Sequence, residues 1–277
     1  MPSHTYFLNR RLLAKPTRMT VATILGALAA ASVATGVAQE GPALPASFVY
    51  LRDVDPTIMQ DIRYATDNNF TGRRVTGYDA PECLLQKSTA TALAKVQSDL
   101  KTQGMSLKVY DCYRPQRAVG AFVAWTKAAS ESKAKKRFHP RLSRSQLLAQ
   151  GYIAARSGHS RGIVVDATLV RLPPPDVAAF DPTKQYEDCA AEKDKRGPDT
   201  SIDFGTGFDC FDSRSNTAAE SLTNEQRNAR TTMVSAMAKR GFANYRREWW
   251  HFTFGVDDAG GRSFDVPIRS HAARAGN

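Results

Sequence analysis

The chain reads as an α+β fold, on three observations. Apolar residues recur at helical spacing in three separate stretches, short apolar or alternating runs lie between them, and no regular strand–helix–strand alternation links the two. The first helix is expected over 89–101, where Ala92, Leu93, Val96 and Leu100 make one apolar stripe and Gly104 follows as a stop. Residues 107–111 alternate like a strand. A second helix is expected over 117–133, with Ala118, Ala121, Phe122 and Trp125 on one side. The β-branched, apolar composition of 162–169 predicts a buried strand, and the Pro/Asp/Lys-rich stretch 173–203 a long excursion or lid. Thr223 and Gln226 form a capping box that opens a third helix, which carries Ala229, Met233 and Met237 and closes at Gly241. An aromatic strand is expected over 249–254.

The first 38 residues read as a secretory signal rather than as part of the fold. Arg10, Arg11, Lys15 and Arg18 give a positive opening with no acid before Glu40, a mild apolar run covers 21–37, and Gly36-Val37-Ala38 offers a small-residue cleavage site. That run falls short of the roughly 20 strongly apolar residues of a membrane span, so no stable membrane insertion is expected once the signal is removed. Asn9-Arg10-Arg11-Leu12-Leu13-Ala14-Lys15 also resembles a twin-arginine export signal, which leaves the export route open. A loose Pro/Ala-rich linker (39–47), one domain (48–268) and a polar tail (269–277) complete the division of the 277 residues. The expected location is periplasmic or otherwise extracytoplasmic.

Composition narrows the partners. The net charge is +11, of which four charges belong to the signal, and the remaining Lys and Arg are scattered. The densest run, Lys133 to Arg137, reads as a solvated helix end, so a nucleic-acid partner is not expected. Cys83, Cys112, Cys189 and Cys210 all follow the signal, without C-x-x-C or zinc-ribbon spacing. An even count in an oxidising compartment suggests disulfides. Of three connectivities, Cys83–Cys112 with Cys189–Cys210 is preferred because each pair brackets one segment, and free buried thiols are the alternative.

Four histidines follow the signal. His139 and His271 sit in surface-like contexts, before a proline and in a polar tail. His159 lies in the Gly/Ser turn Ser157-Gly158-His159-Ser160-Arg161-Gly162, and Asp166 stands in the apolar run that follows. A carboxylate there is costly unless it is paired or bound to a metal. Glu248-Trp249-Trp250-His251 adds a second histidine and another carboxylate, without the H-E-x-x-H spacing of helix-borne zinc sites. Two histidines and one carboxylate suit a catalytic zinc with an open coordination position. Singly, each residue also has an ordinary reading: Asp166 in a buried ion pair, His251 as a core imidazole, Glu248 as a surface charge. Arg114, in a turn after a strand, completes a hydrolytic set or else pairs with Asp111.

These motifs carry a family resemblance. Arg63-Tyr64-Ala65-Thr66, Asn69-Phe70-Thr71-Gly72, Tyr113-Arg114-Pro115 with Arg117-Ala118-Val119, the 157–166 run, Phe208-Asp209 with Phe211-Asp212, and Glu248-Trp249-Trp250-His251 together resemble the D-alanyl-D-alanine dipeptidases of the vancomycin-resistance type. These are zinc peptidases of the D,D-carboxypeptidase and hedgehog-like superfamily. Related carboxypeptidases tend to carry Glu-Pro-Trp-His at the last motif, so the Trp-Trp form points to the dipeptidase branch. The resemblance spans about 50–267. The chain departs from it in its signal, its cysteines and a longer 173–203 segment.

The resemblance implies a compact domain around a central antiparallel sheet flanked by helices. It implies one zinc per chain on His159, Asp166 and His251, Glu248 as general base and Arg114 as the oxyanion-stabilising arginine. It also implies capture of the amino terminus of a small D,D-dipeptide by Tyr64 and Asp209. Ser157 is a candidate substrate contact, and either Asp212 takes the place of Asp209 as the acid or both serve the loop. The rivals are a murein carboxypeptidase or endopeptidase on the same scaffold, and a non-catalytic zinc-stabilised wall-binding protein.

Overall fold

In chain order the elements are β1 (Phe48–Tyr50), α1 (Leu51–Val54), β2 (Met59–Gln60), β3 (Leu84–Gln86), α2 (Lys87–Lys101), β4 (Met105–Asp111), α3 (Gln116–Thr126), α4 (Lys135–Phe138), α5 (Arg144–Ala149), β5 (Val164–Arg171), α6 (Asn224–Ala238), β6 (Phe242–Asn244) and β7 (His251–Phe254). The computed structural model describes residues 44–131, 134–255 and 261–271, together with Met1. The expected signal lies outside the described residues apart from Met1, as does most of the linker and the end of the tail. Among the described residues no helix is long and apolar enough to cross a membrane.

Five strands form the main sheet in the order β2-β4-β5-β7-β6, and β1 pairs with β3 beside it. The expected antiparallel sheet is corrected to a mixed one, because β2 runs parallel to β4. That strand has two residues, too few to show a period in sequence. The central pairings β4–β5, β5–β7 and β6–β7 are antiparallel.

Helices α2 and α6 pack on each other and on the sheet. The α2 stripe of Ala92, Leu93, Val96 and Leu100 is buried, and Leu93, Val96 and Leu100 are wholly so. Each such aliphatic side chain contributes about 1.5–3 kcal/mol of burial. The capping box opens α6, with Gln226 N–H donating to Thr223 Oγ1 at 3.3 Å and Thr223 N–H to Gln226 Oε1 at 3.1 Å.

Three expected bounds shift. The second helix stops at Thr126 rather than 133, because its buried face ends with Trp125 and Thr126 and the exposed residues that follow are small or polar and bury nothing to hold further turns. The strand expected from 162 begins at Val164, since Gly162 has φ +73° and ends a one-turn 3-10 helix over Gly158–Arg161. Trp249 and Trp250 lie in the turn before β7 rather than in it. The 173–203 excursion holds one 3-10 turn, Lys193–Lys195, and no strand.

Both preferred disulfides are present, Cys83–Cys112 and Cys189–Cys210, and no cysteine is free. One surface assignment is corrected. His139 is fully buried, edge-on to Trp125, with its Nδ1 at 3.0 Å from the Leu142 carbonyl. His271 is half-buried, its Nε2 at 2.9 Å from Asp53 Oδ2. Arg137, at the end of the basic run, also turns inward and donates to Asn68 Oδ1 at 2.9 Å.

Candidate active site

Strand register places the first three acidic and basic groups. Opposed residues of an antiparallel pair project to the same face, and Asp166 of β5 stands opposite His251 of β7. On its other side Asp166 stands opposite Asp111, because the β4–β5 ladder shifts between Val109 and Asp111. Without that bulge Asp111 would oppose Val165. His159 arrives from the 3-10 turn before β5, whose first N–H is capped by Ser157: its Oγ accepts from His159 N at 3.3 Å. Gly162 closes that turn, where a Cβ would sit 2.5 Å from the Phe48 ring.

His159 Nδ1 donates to the Cys112 carbonyl at 2.7 Å, since a carbonyl can only accept. In the neutral ring its Nε2 is then the lone-pair nitrogen. That atom lies 3.4 Å from His251 Nδ1 and 3.4 Å from Asp166 Oδ1, and His251 Nδ1 lies 3.1 Å from the same oxygen. Three donors bound at about 2.0–2.1 Å with tetrahedral angles stand about 3.3–3.4 Å apart. Asp166 Oδ1 is buried and has no hydrogen-bond partner among the described residues. A buried carboxylate oxygen left unpaired is costly, and a cation at the centre of the triangle satisfies it. These residues fit zinc. A second grouping, Asp188 with Cys189 and Cys210, does not, because both sulfurs are in a disulfide.

The electrostatics follow from burial. Burial alone would raise the Asp166 carboxyl, but the His159 and His251 imidazoles hold it well below the usual carboxylate range. Glu248 is 12% exposed, with Oε2 at 3.5 Å from His251 Nδ1. Burial, reinforced by the negative charge of Asp166, pushes its carboxyl up to about 7 against the pull of His251, Arg114 and Arg247. Arg114 Nε donates to Asp111 Oδ2 at 2.9 Å, and one terminal nitrogen lies 2.8 Å from that oxygen and 3.5 Å from Asp166 Oδ2. Its guanidinium also lies 5.1 Å from the ring centres of Tyr64 and Phe122. The Asp111 pairing therefore exists, and it fixes the arginine with its side chain still on the cavity wall.

That cavity has a volume of about 230 Å³ and is lined by Arg114, His159, Asp166, Glu248 and His251, with Tyr64 and Asp209 among the rest. Tyr64 Oη donates to Asp209 Oδ2 at 2.7 Å. Burial pushes Asp209 well above its usual range, and the charge of Asp166 adds to this. Its backbone has φ +56°, unusual for a residue other than glycine. Asp209 thus sits at a tight turn on the cavity wall.

The geometry can be set beside known proteins. A family model described as D-ala-D-ala dipeptidase matches residues 45–178 and 188–272. The chain belongs to the D-ala-D-ala dipeptidase family. It is a peptidase fold, and the break in the match falls inside the 173–203 excursion. A D-alanyl-D-alanine dipeptidase of Streptomyces coelicolor is 34% identical over 221 residues, covering 80% of this chain and 98% of the relative. One from Enterococcus faecium is 30% identical over 222 residues, with the same two coverages of 80% and 98%. A D-alanyl-D-alanine dipeptidase of Escherichia coli is 28% identical over 204 residues, 74% of this chain and 82% of its own length.

Within this peptidase, all five residues expected to carry the chemistry line one cavity, together with Tyr64, Asp209 and Ser157. Asp212 is not on that wall: it accepts from Arg141 Nε and caps the turn at Arg214 N, so it serves the loop. Sequence reasoning missed Tyr152, Tyr245 and Arg156, which complete the wall. It also missed the Cys112 carbonyl, since a main-chain acceptor has no side-chain signal.

Proposed function

We propose that this peptidase is an exported zinc enzyme that hydrolyses the free dipeptide D-Ala-D-Ala. The observation that carries the reading is the donor triangle of His159 Nε2, His251 Nδ1 and the orphaned Asp166 Oδ1, with the protonatable Glu248 beside it. Those three atoms would hold a zinc ion, which would supply Lewis acidity to the site near neutral pH.

Glu248, poised near neutrality by its burial, takes the proton of the attacking water and returns it to the leaving amine. Arg114, fixed by Asp111, faces the oxygen on which negative charge develops. Asp209 and Tyr64 receive the substrate ammonium. An ammonium partner keeps the Asp209 carboxylate ionised despite its burial, and a blocked or longer amino terminus leaves that charge unpaired. The relatives' names support the D-Ala-D-Ala assignment. Export is supported by the signal-like first 38 residues and by two disulfides, which persist in oxidising compartments.

The test is a panel of free D-Ala-D-Ala, N-acetyl-D-Ala-D-Ala and a stem pentapeptide ending in D-Ala-D-Ala, run on the mature protein with zinc and with chelator. The free dipeptide should be cut, only with about one zinc per chain, and the other two should be very poor substrates. Equal rates on free and blocked dipeptides would move the assignment to a carboxypeptidase. Full activity in the metal-free protein would remove zinc from the reading.

A further inference from the structure

A second cavity shares a wall with the peptidase site and takes no part in the chemistry above. Arg63, Phe208 and Trp249 line it, while their chain neighbours Tyr64, Asp209 and Trp250 line the first. Its volume is about 70 Å³, and its charged lining is Arg63, Arg137, Lys193 and Arg196 against Asp199 and Glu187. Tyr110, Phe138, Phe208 and Trp249 make its apolar walls.

The positive charge exceeds what the nearby carboxylates neutralise. Asp61 and Asp199 serve Arg63, at 2.8 and 2.5 Å, and the same two serve Lys108, at 3.8 and 2.6 Å. Asp203 serves Arg196. Glu187 is exposed and pairs with Lys136 at 2.9 Å. Among the described residues neither Arg137 nor Lys193 has a carboxylate within ion-pair distance. Asp67, the acid whose field Arg137 feels, is exposed. Arg137 donates to Asn68 Oδ1, and its guanidinium is sandwiched at 4.9 and 4.5 Å from the rings of Phe138 and Phe180. Lys193 Nζ donates to the Asp199 carbonyl at 3.1 Å. The Arg196 side chain is 8% exposed, and its Nε is buried without a hydrogen-bond partner among the described residues.

Partly buried cations without a carboxylate at ion-pair distance are unfavourable, and burial lowers the pKa of both Arg137 and Lys193 against the pull of Asp67 on the first and of Asp199 and Asp203 on the second. We infer that this cavity binds a small inorganic oxyanion, phosphate or sulfate, between Arg137 of the body and Lys193 and Arg196 of the excursion. Guanidinium and ammonium donors suit such an oxyanion through charge-assisted bonds. A space of about 70 Å³ is several times the roughly 10–15 Å³ that one water needs on the same measure. That is room for one tetrahedral oxyanion. Bound there, the anion ties the excursion to the body directly behind Phe208 and Asp209.

Thermal unfolding of the zinc-loaded protein in phosphate, against chloride at equal ionic strength, reads the site. The midpoint should rise saturably with phosphate, by a few degrees, following the linkage for a ligand of the native state. In R137Q and K193Q the apparent affinity should weaken at least tenfold, read in each variant as the phosphate-dependent rise above its own midpoint in chloride. A second readout needs no variant: phosphate should slow acylation of Lys193 by an amine-reactive reagent, measured by peptide mass spectrometry, against other lysines as reference. No shift beyond chloride, or an equal shift in both variants, places phosphate elsewhere or nowhere and overturns the inference. Unprotected Lys193 at saturating phosphate does the same.

Discussion

The β4–β5–β7 strands and the 173–203 excursion solve the problem of placing charged groups indoors in opposite ways. In the strands, ladder register sets Asp111, Asp166 and His251 in one row, and hydrogen-bonded backbone holds them whether or not their charges are satisfied. The excursion holds one 3-10 turn and no strand. It is held by charge: Asp199 on Arg63 and Lys108, Asp203 on Arg196, and Asp188 on Arg141, with one disulfide from Cys189. A rigid ladder tolerates an unsatisfied oxygen such as Asp166 Oδ1, as a metal site requires. A loop built on ion pairs unravels when its pairs are broken.

Glu248→Gln probes the rigid side and carries the largest expected effect. Turnover should fall by about 10²–10⁴-fold while zinc content and unfolding midpoint stay at wild-type values. Metal loss together with unfolding would make Glu248 structural.

The disulfides give the sharpest contrast. Removing a native disulfide costs about 2–5 kcal/mol, so Cys83→Ser/Cys112→Ser and Cys189→Ser/Cys210→Ser should both lower stability in denaturant titrations. Only the first should also weaken zinc binding in a chelator competition, because Cys112 supplies the carbonyl that orients His159. Equal zinc affinity in the two double variants would erase the distinction between ladder and loop.

Asp199→Asn should destabilise by roughly 2–4 kcal/mol at neutral pH, since it strips a largely buried partner from Arg63 and Lys108. Burial works to raise the Asp199 carboxyl, but Arg63 and Lys108 hold it well below the usual range. A depressed folded-state pKa stabilises above the unfolded value of about 4 and loses that contribution as pH falls below it. The gap between wild type and Asp199→Asn, measured by urea unfolding from neutral to acid pH, should therefore close under acid conditions. A gap independent of pH would mean that the carboxylate charge contributes nothing.

The smallest effect belongs to Ser157→Ala. If the hydroxyl only caps the turn at His159, stability falls by about 0.5–1 kcal/mol with KM unchanged. A several-fold rise in KM would restore Ser157 as a substrate contact.

The candidate site was legible in sequence because its residues sit in short local motifs: a Gly/Ser turn running into an apolar strand, and a carboxylate three positions before a histidine. Residues that depend on long-range packing were not legible. The two-residue β2 shows no period, and the bulge that brings Asp111 beside Asp166 is a property of two strands together. His139 reads as a surface residue because nothing local announces that Trp125 will close over it. Arg137 turns inward for the same kind of reason: its partners Asn68 and Phe180 are distant in sequence.

The row of Asp111, Asp166 and His251 has a consequence for how such a protein can change over generations. Side chains alternate faces along a strand, so one residue inserted within β5 ahead of Asp166 would carry that carboxylate to the opposite face. Residues inserted between β5 and β7 leave the pairing untouched, and the 173–203 excursion occupies that interval. Novelty therefore has a free port of entry, while the row itself is guarded by the parity of the ladder.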